Sequence, residues 1–226
     1  MRIEIDETLA NRFKGLRMVG AVLRGVDARE VDDGDFADFS MGVYGKIRDR
    51  FPDAESLTSD PLVRLYRSFL WSELKLDPTK VRPACEALLR RILAGEGLPR
   101  INPVVDAYNL ASALTRFPMC AYDLAKLDGD VLRLRFAEEG ERFQGLGMAK
   151  PRVMSSNEIV VCDEEGPVGI YPYRDGERAK VTSDSRDVVL TVDGVPGIFA
   201  MDLLRGLKVC VSFVRKFVGG TPATLW

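Results

Sequence analysis

The chain has no histidine among its 226 residues, and that absence excludes much chemistry. A Ser-His-Asp or Cys-His catalytic set would lack its base. An HExxH zinc site would lack its ligands. Acid–base work falls to Asp, Glu, Cys, Tyr, Lys or water. Cysteine is sparse: Cys85, Cys120, Cys162 and Cys210 are scattered and form no CxxC pair. No metal cluster or cofactor is therefore expected, and isolated thiols fit a reducing compartment. No apolar run reaches the ~18 residues of a membrane span. The opening MRIEIDETLANRF lacks the apolar stretch of a secretory leader. A cytoplasmic location with no membrane partner is the expectation. Nor is there an excess of either charge: 32 basic against 34 acidic residues leave −2, and the pI is near 5.5. That balance argues against nucleic-acid binding by bulk positive charge, while leaving room for a local basic face. Glycine-rich nucleotide loops and a GxSxG elbow are missing too. Ser72 and Lys75 share an SxxK spacing with no accompanying KTG, which reads as chance on a helix face.

What is present suits an ordinary soluble protein: 46% hydrophobic and 29% charged residues. A chain this long buries roughly 70–75% of its unfolded surface without disulfide or metal staples. No repeat, low-complexity tract or flexible linker interrupts it. Residues 16–26 (LRMVGAVLRGV) read as a buried strand, followed by acidic turn residues at 32–35 and a helix over 36–50, with Phe36, Phe39, Val43 and Ile47 at helical spacing. Asp60-Pro61 opens a second helix, through Leu76, which Asp77-Pro78 stops. Pro83 opens a third, closed by Gly95. Asn102 caps a fourth, with Pro103 in its first turn and Pro118 beyond its end. Short Val-rich strands are expected at 131–136, 158–162, 168–171, 179–182 and 188–192. A last helix is expected over 201–218. Helices early and strands late predict an α+β fold, helices packed on a mixed β-sheet or sandwich core, rather than a βαβ alternation.

Three constellations stand out. On the fourth helix, at ~100° per residue, Asn102, Asp106, Asn109, Ala113 and Arg116 share one stripe, and Val104, Tyr108, Ala111 and Thr115 another. The polar stripe either caps neighbouring loops or lines a pocket. On the last helix, Leu203, Leu204, Leu207, Val211, Val214 and Val218 form an apolar face. Arg205, Lys208, Ser212 and Lys216 form the other, either a solvated surface or a track for a phosphate backbone. The segment Tyr171-Pro172-Tyr173-Arg174-Asp175-Gly176 is either a hairpin turn with Asp175-Gly176 at its tip or a loop that stacks a base or holds a carboxylate.

Taken in order, these segments resemble the editing domain of phenylalanyl-tRNA synthetase β subunits, the B-three/B-four region. The series runs through Asn102, Val104, Val105, Asp106 and Asn109; Pro118, Ala121, Tyr122 and Asp123; Gly129 with Arg133 or Arg135; Gly140-Glu141; residues 158–168; and 185–190. It covers about residues 60–218, and PTKVRPACEALLRRILAGEGLPRIN is especially like free-standing members. The resemblance implies one domain over 1–226, an editing-like core over 60–218 preceded by a strand–helix extension over 1–59. The chain lacks room for an aminoacylation core, so it is not itself expected to be a phenylalanine–tRNA ligase.

In the synthetase this domain hydrolyses tyrosine misattached to tRNA, so the resemblance implies an amino-acid-sized pocket for the 3′ end of a charged tRNA. Ester hydrolysis there needs a positioned water rather than a nucleophilic side chain. The pocket positions differ from the family's: Tyr108 stands at its threonine, Cys120 at its histidine, Tyr171 and Pro172 at its Ala-Gly pair, and Thr191 at the glutamate that reads the tyrosine hydroxyl. The scaffold carries over, but the preference for tyrosine does not. Under this reading Asn102, Asp106 and Asn109 brace the pocket, and Tyr108, Cys120, Tyr171, Pro172, Tyr173 and Thr191 line it. Arg174 meets the tRNA end or substrate, Ser185 or Thr182 orients water, and Arg205, Lys208 and Lys216 touch tRNA. Catalytic candidates are Cys120, Ser185 and Thr191, with water favoured over a thioester. The alternative is a non-catalytic module that binds RNA, a free amino acid or another small ligand.

Overall fold

The computed structural model describes residues 1–29 and 33–225. Two sheets pack face to face, and helices cover the far side of one of them. The first sheet has five strands in the order β1 (Arg2–Ile5), β4 (Val131–Phe136), β7 (Ile159–Cys162), β8 (Pro167–Tyr171) and β9 (Arg174–Asp175). Its β1–β4 pair is parallel and the rest antiparallel. The second has four antiparallel strands in the order β11 (Gly219–Leu225), β2 (Arg17–Val26), β10 (Asp187–Gly194) and β3 (Met119–Asp123). A ribbon of β5 (Arg142–Phe143) and β6 (Arg152–Val153) stands apart. The remaining elements are α1 (Glu7–Arg12), α2 (Asp33–Arg50), α3 (Pro61–Ser68), α4 (Ala84–Leu93), α5 (Pro103–Thr115) and α6 (Ala200–Val218). The α+β expectation holds.

Burial on both faces explains the continuous apolar runs of β2 and β10. α6 lies across one face, burying Leu203, Leu207, Cys210, Val214 and Val218. Its close approach requires glycine at two points. A Cβ at Gly194 would collide with Leu203, and one at Gly206 would sit 2.6 Å from the Phe117 ring. Edge-to-face contacts of Phe36 and Phe39 with Phe213 and Phe217 dock α2 on α6. Buried carboxylates tie the helix ends. Asp60 caps α3 through the Leu62 and Val63 N–H groups and also receives Arg116 at 2.8 Å. Glu86 of α4 takes Arg67 at 2.9 Å and Arg90 at 2.8 Å. On the outer face of the five-stranded sheet, Phe143, Met154, Val160, Cys162 and Ile170 make a second small core under the ribbon.

Local departures from expectation have physical causes. The helix expected through Leu76 leaves α geometry after Ser68 and widens into a π turn over Phe69–Glu73, which lets consecutive Phe69 and Leu70 both turn inward. No strand forms over residues 179–182, where only Lys180 bridges to Tyr122. Side chains take the carbonyls that a strand would use: Lys126 binds that of Lys180, and Asn102 that of Val181. The turn after β8 falls at Pro172-Tyr173, not Asp175-Gly176, with Tyr173 N–H donating to Ile170. The acidic turn at 32–35 lies partly outside the described residues, and α2 begins at Asp33.

Candidate functional site

Side chains alternate along a strand, and on β10 the alternation separates two chemistries. Val188, Leu190, Val192 and Gly194 turn toward α6. Val189, Thr191 and Asp193 turn toward the five-stranded sheet. The register sets Cys120 of β3 opposite Thr191 and Tyr122 opposite Val189. On the other side Gly20 lies opposite Thr191 and presents no side chain. From the facing sheet, Gly169 of β8 leaves room for the Tyr122 hydroxyl, which a Cβ there would approach to 2.8 Å. Tyr171 reaches across and donates to the Arg17 carbonyl at 3.0 Å. Tyr108 of α5 donates to Asp175 Oδ2 at 3.0 Å. Tyr66 of α3 donates to the Asp193 carbonyl at 2.5 Å. Tyr66, Tyr108, Cys120, Tyr122, Tyr171, Thr191 and Asp193 are buried, and Asp175 is the most exposed member of the group.

The polar atoms here are under-satisfied. Thr191 Oγ1 and Asp193 Oδ1 have no hydrogen-bond partner, and Tyr122 Oη and Asp175 Oδ1 have none beyond the weak Cys120 thiol beside them. Buried polar side chains are mostly paired, so a convergence of orphans calls for an explanation. The electrostatics agree. Burial, and then the nearby Asp175, holds the Asp193 carboxyl well above its ordinary range. Burial also raises Asp175, against the pull of Cys120, Tyr108 and Arg174. The Cys120 thiol is pushed well up by burial and by both carboxylates. It stays protonated and is a poor nucleophile. Among the described residues no cluster of Cys, Asp and Glu is arranged to hold a metal.

Residues 65–208 match the B3/4 domain family. The chain belongs to that family. The phenylalanine–tRNA ligase beta subunit of Vibrio vulnificus (strain YJ016) is 36% identical over 110 residues, 49% of this chain and 13% of that protein. The corresponding subunit of Symbiobacterium thermophilum is 30% identical over 138 residues, 61% of this chain and 14% of that protein. The chain thus spans a small part of the length of these relatives. A crystal structure of an N-terminal fragment of the phenylalanyl-tRNA synthetase beta-subunit from Pyrococcus horikoshii shares its fold, with TM-score 0.52 at 14% identity, covering 98% of this chain and 50% of that one.

Within this B3/4 domain, Tyr108, Cys120, Tyr171 and Thr191 come together from four segments. The other expected site residues lie around them. Asn102 caps α5 through Val105 N–H at 3.0 Å, and its amide donates to Val181. Buried Asp106 accepts from Ile101 N–H at 2.8 Å and Arg100 at 2.7 Å. Both hold the loop entering α5, and half-buried Asn109 follows on the same helix. The buried Pro172 accepts Ala84 N–H through its carbonyl at 3.3 Å. Tyr173 turns to the outer face of its sheet, bonded to Glu158 and Arg152. Arg174 is exposed, donating to Leu146 at 3.1 Å. Ser185 donates to Asp123 at 2.7 Å and accepts Thr182 N–H, closing a loop away from the cluster. Arg205, Lys208 and Lys216 are exposed on the outer side of α6. Arg205 pairs with Asp202 at 2.8 Å, and Lys216 lies over the Phe39 and Phe217 rings. Sequence reasoning passes over Tyr122, Asp175 and Asp193 as site residues. One signal was available: Thr191 and Asp193 stand two apart in an otherwise apolar strand and so share a face.

Proposed function

We propose that this chain carries an editing-type domain that receives the aminoacyl end of a charged tRNA and hydrolyses its ester with water. The carrying observation is the group of under-satisfied polar atoms between the two sheets, on the face where Thr191, Cys120 and Tyr171 converge. Membership of the B3/4 family supports the reading, because relatives that share the domain are named as tRNA ligase subunits. With no histidine and a protonated thiol, the proton of an attacking water passes to a carboxylate. Asp175 is the least buried of the group, and burial raises its proton affinity above that of an ordinary aspartate, the direction that strengthens a general base. Tyr108, hydrogen-bonded to it, fixes its orientation. Thr191 in place of a carboxylate, with tyrosines filling the walls, fits a smaller amino acid than tyrosine. The test is hydrolysis of a panel of mischarged tRNAs by the purified protein. One aminoacyl-tRNA should be hydrolysed at a rate reduced by Asp175→Asn and altered by Tyr108→Ala. Inertness across the panel would overturn hydrolysis.

The burial of the cluster favours a second reading, a non-catalytic pocket for a free amino acid. It predicts binding without turnover and with little dependence on salt, whereas tRNA binding weakens steeply as salt rises.

A further inference from the structure

We propose that the inner end of this cluster binds a protonated primary amine, held by Asp193 Oδ1, Thr191 Oγ1 and Tyr122 Oη. The proposal rests on the reading above that the pocket takes an amino-acid-derived group, and it names the chemistry that the pocket selects. Three observations carry it. The three atoms are buried and presented to one face by strand parity and register; Asp193 Oδ1 and Thr191 Oγ1 are unpartnered, and Tyr122 Oη has only the weak Cys120 thiol beside it. All three accept hydrogen bonds, and an ammonium offers three donors on a compact head. The charge near them is negative: Asp175 lies within electrostatic reach of Asp193, and its buried Oδ1 has no partner beyond the weak Cys120 thiol. Hydrogen bonds from an arginine or lysine side chain to either of these carboxylates are absent among the described residues.

The alternatives fit less well. A divalent metal calls for a closer set of carboxylate or thiol ligands than the described residues supply. A guanidinium is broad and planar, and Tyr66, Tyr108, Tyr122 and Tyr171 are all buried around this cluster, which suits a smaller head. An anionic or purely apolar group would leave Asp193 without a partner, the costliest arrangement for a buried carboxylate. The ammonium has two possible sources, the α-amine of any aminoacyl group or the side chain of a lysine-like amino acid. Both present the same head to the site.

Calorimetric titration of the intact protein at pH 7 separates them. Glycinamide carries only the α-ammonium and N-acetyl-lysinamide only the side-chain one. N-acetylglycinamide and N-acetyl-norleucinamide are their neutral counterparts. One ammonium probe should bind at least tenfold more tightly than its counterpart and release protons as it binds. Asp193→Asn should remove that preference, Thr191→Val should reduce it, and affinity for the neutral counterparts should not change. Removing a buried charge leaves Asp193→Asn at least as resistant to heat as the parent, so lost binding is not unfolding. If neither ammonium probe is preferred, or if the preference survives Asp193→Asn, the proposal is wrong. Turnover of a charged tRNA without any ammonium preference would sink this inference and leave the proposed function standing. Ammonium preference without turnover would do the reverse.

Discussion

Asp193 is the residue at which folding and function pull against each other. Its carboxylate lies between two sheets and near another acid, and burial raises its pKa well above the ordinary aspartate value. The folded state therefore holds the proton more tightly than the unfolded chain. The stability this contributes is fully present below the ordinary aspartate pKa and is lost as pH rises through the folded-state value. Asparagine keeps the shape and titrates nothing. Asp193→Asn should accordingly gain little over the parent near pH 4 and progressively more toward pH 8. Urea unfolding across that pH range reads the gain directly. A constant offset across that range would show that Asp193 does not titrate with folding. Glu158 behaves oppositely. Burial works against its ionisation, but hydrogen bonds from Arg152, Tyr173 and the Ser155 N–H prevail and hold its pKa down, so its contribution is lost as pH falls. Cys120 makes a sharper claim about mechanism. With its thiol kept protonated, Cys120→Ala should leave any deacylation rate within about tenfold, whereas loss of a covalent nucleophile costs several orders of magnitude.

At the scale of elements, α5 shows what the sequence made readable and what it hid. Asn102-Pro103 marks its start because an amide oxygen and a proline solve the problem of unpaired N–H groups locally, and the helix begins there. Strands 131–136 and 188–192 and the last helix were legible for the same reason: period and punctuation are local properties. What escaped depends on partners far along the chain. β1 becomes a strand by pairing with β4 about 130 residues later, and β3 by pairing with β10. The site escaped for the same reason, since Asp175 and Asp193 meet only when two sheets close. Asn102 joins the two kinds of information, capping its own helix while its amide holds Val181 across the fold. Asn102→Ala should cost about 2 kcal/mol, roughly one for the cap and one for the second hydrogen bond. Asn102→Asp keeps the capping oxygen and loses only the donor, so urea midpoints should rank parent, then Asp, then Ala. Equal losses for the two variants would show that the cap contributes nothing.

Over the whole molecule, the four-stranded sheet separates the cluster on its inner face from α6 on its outer face. The basic stripe of α6 therefore does not line the space that would hold an aminoacyl group. If it contacts tRNA, it does so away from the 3′ end, through backbone phosphates. The net charge of −2 makes such a stripe matter more, since the rest of the surface supplies no general attraction. Its three cations are not equivalent: Arg205 is already paired with Asp202, and Lys216 sits over aromatic rings. Lys208, exposed on the same side, should carry the largest single effect. Each phosphate contact contributes about 0.9 to the slope of log affinity against log salt. Changing Arg205, Lys208 and Lys216 together to Glu should weaken tRNA binding and flatten that slope by two to three such increments, about 1.8 to 2.7. Binding of the amine probes should be untouched, because the substitutions lie across the sheet. An unchanged slope would remove α6 from the RNA interface and send the search to another face, while altered amine binding would mean that helix and pocket are coupled through β10.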